Sequence, residues 1–222
     1  MKPITNEEFD NFKQLCLSNE GWDQALKNES LTGFTMKTES SSTLKLKVIS
    51  TVFDEFPMER VFDVLMDTMY RSEWDVNVME KKVVEVIDNY NEIQYYQIKM
   101  PVVSNRDFVY IKAWRYVDDE FIIFNRSVVD KREPPRDGFV RANFQDCGYF
   151  ARKENGKVVL YYVIHNEWNG WIPAFLINKL GVQVCPSVIA KLAEGCRKYE
   201  DWKSKQKDHK APWKEFIPKK EE

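Results

Sequence analysis

The chain has 222 residues, of which 43% are hydrophobic, 14% aromatic and 31% charged, a balance that excludes a disordered, collagenous or disulfide-framed miniprotein. Its 33 basic and 35 acidic side chains leave a formal charge of -2, so the strongly basic footprint of a nucleic-acid binder is missing and no nucleic-acid partner is expected. A single domain of this length buries roughly 70% of its unfolded surface, and one core is expected.

Thr5 followed by Glu8 fits a capping box, and Phe9, Phe12, Leu15 and Cys16 then share one helical stripe until Asn19 to Gly21 ends it. From Trp22 to Phe53 the period changes to two, with Gly33 at a turn and Leu44, Leu46 and Val48 alternating with Lys45 and Lys47, which predicts three short strands. Pro57 opens a second helix whose apolar face is Met58, Val61, Phe62, Leu65, Met66 and Met69. Between Lys81 and His165, β-branched and aromatic runs are separated by Asp88-Asn89, Asp118-Asp119, Pro134-Pro135, Asp137-Gly138 and Asn155-Gly156, which fits six antiparallel strands in meander order. After Pro173 a helical stripe returns through Phe175, Leu176, Leu180, Val184, Ile189, Leu192, Ala193, Cys196 and Tyr199, bent near Gly181 and Pro186. The residues from Lys203 onward are mostly charged and read as an exposed tail, into which Trp213 and Phe216 bring two apolar side chains able to dock back.

This succession is an α+β domain in which an antiparallel sheet wraps around its final helix. The segment from Phe108 to Val117 is apolar on both alternating sets, Phe108, Tyr110, Trp114 and Tyr116 on one side and Val109, Ile111, Ala113 and Val117 on the other. Both faces are therefore covered or line something, and periodicity leaves a tight core and an internal apolar cavity as alternatives. The four cysteines show no CxxC, and only His165 and His209 stand beside them, so neither a metal site nor a cofactor is expected. A polar N-terminus and no long apolar run point to a cytoplasmic protein with free thiols that can touch a membrane without spanning it.

Three stretches in order, Tyr70-Arg71-Ser72-Glu73-Trp74-Asp75, Ser104-Asn105-Arg106-Asp107 and Trp171-Ile172-Pro173-Ala174-Phe175-Leu176-Ile177-Asn178, resemble START lipid-transfer domains nearly end to end. Within that family the chain is most similar to the phosphatidylcholine transfer group. Tyr199-Glu200-Asp201-Trp202-Lys203 followed by Pro212-Trp213 resembles the branch that carries both phosphatidylcholine and phosphatidylethanolamine. The resemblance implies a helix-grip fold, with a curved nine-stranded antiparallel sheet around the C-terminal helix and a tunnel for one lipid. The lipid-binding domain would span residues 1–203 and the charged tail 204–222.

By the same resemblance Arg71 and Asp75 bind the lipid phosphate, a role that suits a guanidinium fork steadied by a carboxylate. An aromatic cage for the choline would fall on Tyr96, Phe108 and Tyr161 or Tyr162, where quaternary ammonium binds ring faces. The family's Trp and one of its hydroxyls are missing there, which leaves room for phosphatidylethanolamine. Trp168, Trp171, Phe175 and Leu176 are candidates for membrane contact and for the gate, and Trp168 and Trp171 could equally cap the core. Ser104 to Asp107 reads as a structural turn with an Arg-Asp pair, and His165 as a structural histidine, because no nucleophile or phosphate-loop motif accompanies them. The expected function is a non-enzymatic, monomeric, cytoplasmic phospholipid carrier that is transiently peripheral at membranes. A lipid-responsive interaction module and a sterol carrier are the alternatives.

Overall fold

The computed structural model describes residues 1–38, 43–172 and 174–217, with 174–184 described as helix backbone only. Helix α1 (Asn6–Leu17) starts at the capping box: the Thr5 hydroxyl accepts the Glu8 N–H, and the Glu8 carboxylate accepts the Thr5 N–H at 2.8 Å. Its buried face is Phe9, Phe12 and Cys16. Strands β1 (Asp23–Lys27), β2 (Leu31–Met36) and β3 (Lys45–Ser50) follow as an antiparallel set.

Helix α2 (Met58–Met66) buries Met58, Val61, Phe62, Leu65 and Met66 as the stripe predicts. Met69 departs from it. The helix stops at Asp67, whose carboxylate accepts the N–H groups of Met69 and Tyr70, both at 3.0 Å, and the turn that results leaves Met69 exposed. A single helical turn, α3 (Arg71–Trp74), comes next.

Six long strands then run in sequence: β4 (Val78–Asp88), β5 (Asn91–Ile98), β6 (Asn105–Val117), β7 (Glu120–Ser127), β10 (Cys147–Glu154) and β11 (Lys157–Ile164). The connection between β7 and β10 adds β8 (Phe139–Arg141), which pairs parallel with β6, and β9 (Asn143–Phe144), which pairs with β12 (Asn166–Glu167). The β10–β11 turn has Asn155 at φ +51° and Gly156 at φ +81°, the left-handed pair that a two-residue hairpin requires. The main path of the large sheet is β1-β2-β3-β11-β10-β7-β6-β5-β4, antiparallel throughout, and the described strands do not close into a barrel.

Both faces of this sheet are covered. Val109, Ile111, Tyr95, Phe124, Phe150 and Tyr161 pack under α1, while Trp114, Tyr116, Phe121, Ile123, Tyr149 and Leu160 face α2 and the long helix α4 (Ala174–Ser204). Pro186 lies inside α4, and Cys185, Ile189, Leu192, Ala193, Cys196 and Tyr199 are its buried residues.

Part of the segment read as an exposed tail lies on the body. A 3-10 turn (Pro212–Phe216) buries Trp213, whose indole N–H donates to Asp63 at 2.9 Å. His209 Nε2 sits 2.6 Å from the buried carboxylate of Asp67, which also accepts the Tyr199 hydroxyl at 2.9 Å. Two carboxylates around the end of α2 thus serve as docking points for the chain after α4.

Candidate functional site

A cavity of about 330 Å³ lies between the sheet and α4, at the small end of the roughly 300–1,000 Å³ usual for ligand sites. The tight core and the internal cavity coexist: the core fills the α1 side and the ends of the α2–α4 side, and the cavity occupies the middle of the latter. Strand alternation decides which residues reach it. Lys81, Tyr96 and Phe108 oppose one another across β4, β5 and β6, and Tyr149 opposes Tyr162 across β10 and β11.

Arg71 and Asp75 meet at the cavity wall. They bracket α3, so one short turn sets their spacing: the Asp75 N–H bonds to the Arg71 carbonyl at 3.0 Å, and Arg71 Nη2 donates to Asp75 Oδ2 at 2.7 Å. The side chains are 12% and 7% exposed, so this is a buried pair and not a surface one. The guanidinium stacks on the Trp74 ring at 4.1 Å. Trp74 is fixed in turn by α4, because Gly195 has no Cβ where one would come within 3.0 Å of it, and the Tyr70 hydroxyl donates to the Gly195 carbonyl at 2.9 Å.

Burial opposes the Arg71 charge, but the Asp75 carboxylate against it holds the guanidinium charged. Burial also pushes the Tyr96 and Tyr149 phenols well up, so both stand neutral beside it. Arg71 Nε is buried with no hydrogen-bond acceptor among the described residues. The arrangement sets a fixed fork, a donor without an acceptor among the described residues and two hydroxyls turned toward the fork at one wall of the cavity, chemistry that suits an anion.

Of the aromatic positions, Tyr96, Phe108 and Tyr162 line the cavity and Tyr161 does not. Tyr161 follows the opposite phase of β11, packs with Phe150 on the α1 side at 5.5 Å and donates to Glu154 at 2.5 Å. Phe108 already stacks on Phe144 at 4.2 Å, and Tyr162 on Tyr149 at 4.4 Å, so one face of each ring is covered by protein.

Trp168 lines the cavity and meets Phe108 edge-on at 6.2 Å, whereas Trp171 is 79% exposed; the two tryptophans do different jobs. The side chains of Phe175 and Leu176 lie outside the described residues.

The Arg-Asp pair expected within Ser104 to Asp107 does not form. Arg106 and Asp107 are consecutive residues at the start of β6, so their side chains leave on opposite faces. Asp107 takes a two-pronged bond from Arg141, 2.9 Å on each oxygen, while Arg106 donates to the carbonyls of Trp168 at 3.0 Å, Asn169 at 2.8 Å and Ser104.

Two cavity residues escape sequence reasoning altogether. Lys112 is fully buried and donates to the Met66 carbonyl at 3.2 Å, with Glu92 at 3.8 Å. Lys81 stands next to Tyr96 across the strand pair, with no hydrogen bond or ion pair among the described residues. Burial, then the charges of Lys112 and Arg71, pull its ammonium well below the usual lysine range. Lys81 sits in a strand rich in charge, where the pattern reads as solvent-facing, and Lys112 is a lone charge in the otherwise apolar alternating set Phe108, Tyr110, Trp114 and Tyr116.

A large antiparallel sheet with a long C-terminal helix across one face and a cavity between them is START architecture, and this chain belongs to the START family: the START domain model matches residues 5–201. Among individual relatives, START domain-containing protein 10 of Mus musculus is 29% identical over 211 residues, covering 94% of this chain and 72% of its own length. Phosphatidylcholine transfer protein of Bos taurus is 25% identical over 203 residues, covering 85% of this chain and 93% of its own length. The crystal structure of human STARD10 superposes with a TM-score of 0.89 at 28% identity, covering 97% of this chain and 89% of that one. None of the described helices is long and apolar enough to cross a membrane.

Proposed function

We propose that the protein is a cytoplasmic carrier that takes up one glycerophospholipid, phosphatidylcholine or phosphatidylethanolamine among them, and passes it between membranes without chemical change. The observation that carries this reading is the buried Arg71 and Asp75 pair at the wall of an otherwise largely apolar cavity, with a guanidinium N–H that has no acceptor among the described residues. A phosphodiester satisfies that donor, and a sterol, with a lone hydroxyl, leaves the fork unanswered. The relative named phosphatidylcholine transfer protein supports the same ligand class.

A diacyl lipid carries on the order of 30 methylenes at about 0.8 kcal/mol each, so release into water costs about 25 kcal/mol and is negligible. Exchange therefore takes place against a bilayer. Two acyl chains fill more than the closed cavity offers, so loading spreads its walls at the start of α4 and at the loop before it. Trp171 and Val102, 79% and 88% exposed, are apolar side chains at that end of the molecule suited to meeting the lipid surface, with Phe175 and Leu176 following in sequence.

The test is native mass spectrometry of the purified protein with extraction of whatever adds mass. One glycerophospholipid per chain is the expected result. A protein that is empty, and stays empty after incubation with mixed phospholipid vesicles, would overturn the proposal.

A further inference from the structure

The charges around the cavity do not balance. Its described lining holds Arg71, Lys81, Lys99 and Lys112 against a single carboxylate, Asp75. Asp75 is committed to Arg71 at 2.7 Å, and Lys112 is answered from beside it by Glu92 and by the carbonyls that end α2. Lys99 is exposed at the mouth and solvated. Lys81 is the remainder: part-buried at the cavity wall, opposite Tyr96 in the strand pairing, and without a hydrogen bond or ion pair among the described residues.

A zwitterionic headgroup leaves this surplus standing. Its phosphate offsets one charge and its ammonium restores it, beside a lysine with no carboxylate partner among the described residues. A headgroup bearing phosphate without a cation offsets the surplus and gives the Lys81 ammonium an anionic partner. The ring faces argue the same way, since Phe108 and Tyr162 each have one face occupied by another aromatic ring and offer an ammonium an incomplete cage.

We infer that the cavity takes acidic glycerophospholipids in preference to zwitterionic ones, with Lys81 as the specificity-determining residue beside the Arg71 phosphate site. This rests on the carrier reading above and goes further by assigning the charge class of the cargo.

The test is a competition within one membrane. The full-length protein is incubated with vesicles of equimolar phosphatidylglycerol and phosphatidylcholine with identical acyl chains, then reisolated, and its bound lipid is extracted and quantified. Both lipids share the same vesicle, so attraction of the whole protein to the surface cancels. Bound phosphatidylglycerol should exceed phosphatidylcholine by about tenfold, which corresponds to about 1.4 kcal/mol. Lys81→Met should bring the ratio close to one, and Lys81→Arg should retain the preference. A wild-type ratio at or below one sinks the inference whatever the variants do, as does a Lys81→Met ratio equal to wild type. Loading with phosphatidylcholine alone would leave the carrier reading standing and remove this one; loading with neither lipid would remove both.

Discussion

Replacing Arg71 with Met keeps an apolar stem of similar length and removes the fork. Among the described residues the Asp75 carboxylate, 7% exposed, then retains only the Asn77 N–H at 3.4 Å. Stranding one member of a buried pair costs about 3–5 kcal/mol, so Arg71→Met should be markedly less stable to denaturant than wild type. Arg71→Met combined with Asp75→Asn removes both charges and should recover most of that loss. Lipid loading should not recover with it. The double variant still lacks the charge-assisted bonds to phosphate, worth about 1.5–3 kcal/mol, and its affinity for phospholipid should stay about 10- to 150-fold below wild type. Urea unfolding monitored by tryptophan fluorescence gives the first quantity, and loading from labelled phospholipid vesicles the second. A folded double variant that loads like wild type would show that the pair only holds α3 in place and would refute the phosphate assignment.

Trp213→Ala removes a buried indole and its bond to Asp63, a change that costs about 3 kcal/mol at the lower end for such truncations and should depress the melting temperature by about 6–12 °C in calorimetry. A shift of one or two degrees would mean that residues after α4 add nothing to the fold. His165 at 3.7 Å and Lys45 at 2.8 Å hold the Asp146 carboxyl down to about 2 from its ordinary 3.8. Because its folded value is depressed, its stabilisation is complete above pH 4 and disappears as pH falls from about 4 to 2. Asp146→Asn should therefore melt below wild type at pH 6 and converge with it near pH 2; a gap that stays constant across that range would contradict the assignment.

The helices were legible because each buries one continuous face, and the central strands because apolar residues fill both of theirs. The Thr5 capping box, the α2 stripe and the Asn155-Gly156 turn are local signals that tertiary contacts only reinforce. Arg71 and Asp75 were legible as well, since a four-residue spacing on one turn brings them together wherever the turn packs. Residues whose role depends on a neighbouring strand were not. Tyr161 and Tyr162 are equivalent in sequence, and only the register of β11 against β3 and β10 sends one to the cavity and the other beneath α1. Arg106 and Asp107 read as partners because they are adjacent, yet adjacency in a strand separates them. Lys81 and Lys112 carried no signal, because a charged residue in a strand ordinarily marks the wet face. Met69 followed the helical period one turn too far, past an aspartate whose carboxylate binds the backbone and ends the helix.

Arg106 is 1% exposed, and the three bonds found for it all go to backbone carbonyls, one in the loop before β6 and two in the segment between Trp168 and Asn169. A carbonyl cannot be mutated away, so neither segment can lose its tie to the other through a change in its own side chains. Variation can recolour the surfaces of both segments with different side chains and leave these three bonds in place; removing them takes a change at the buried arginine itself.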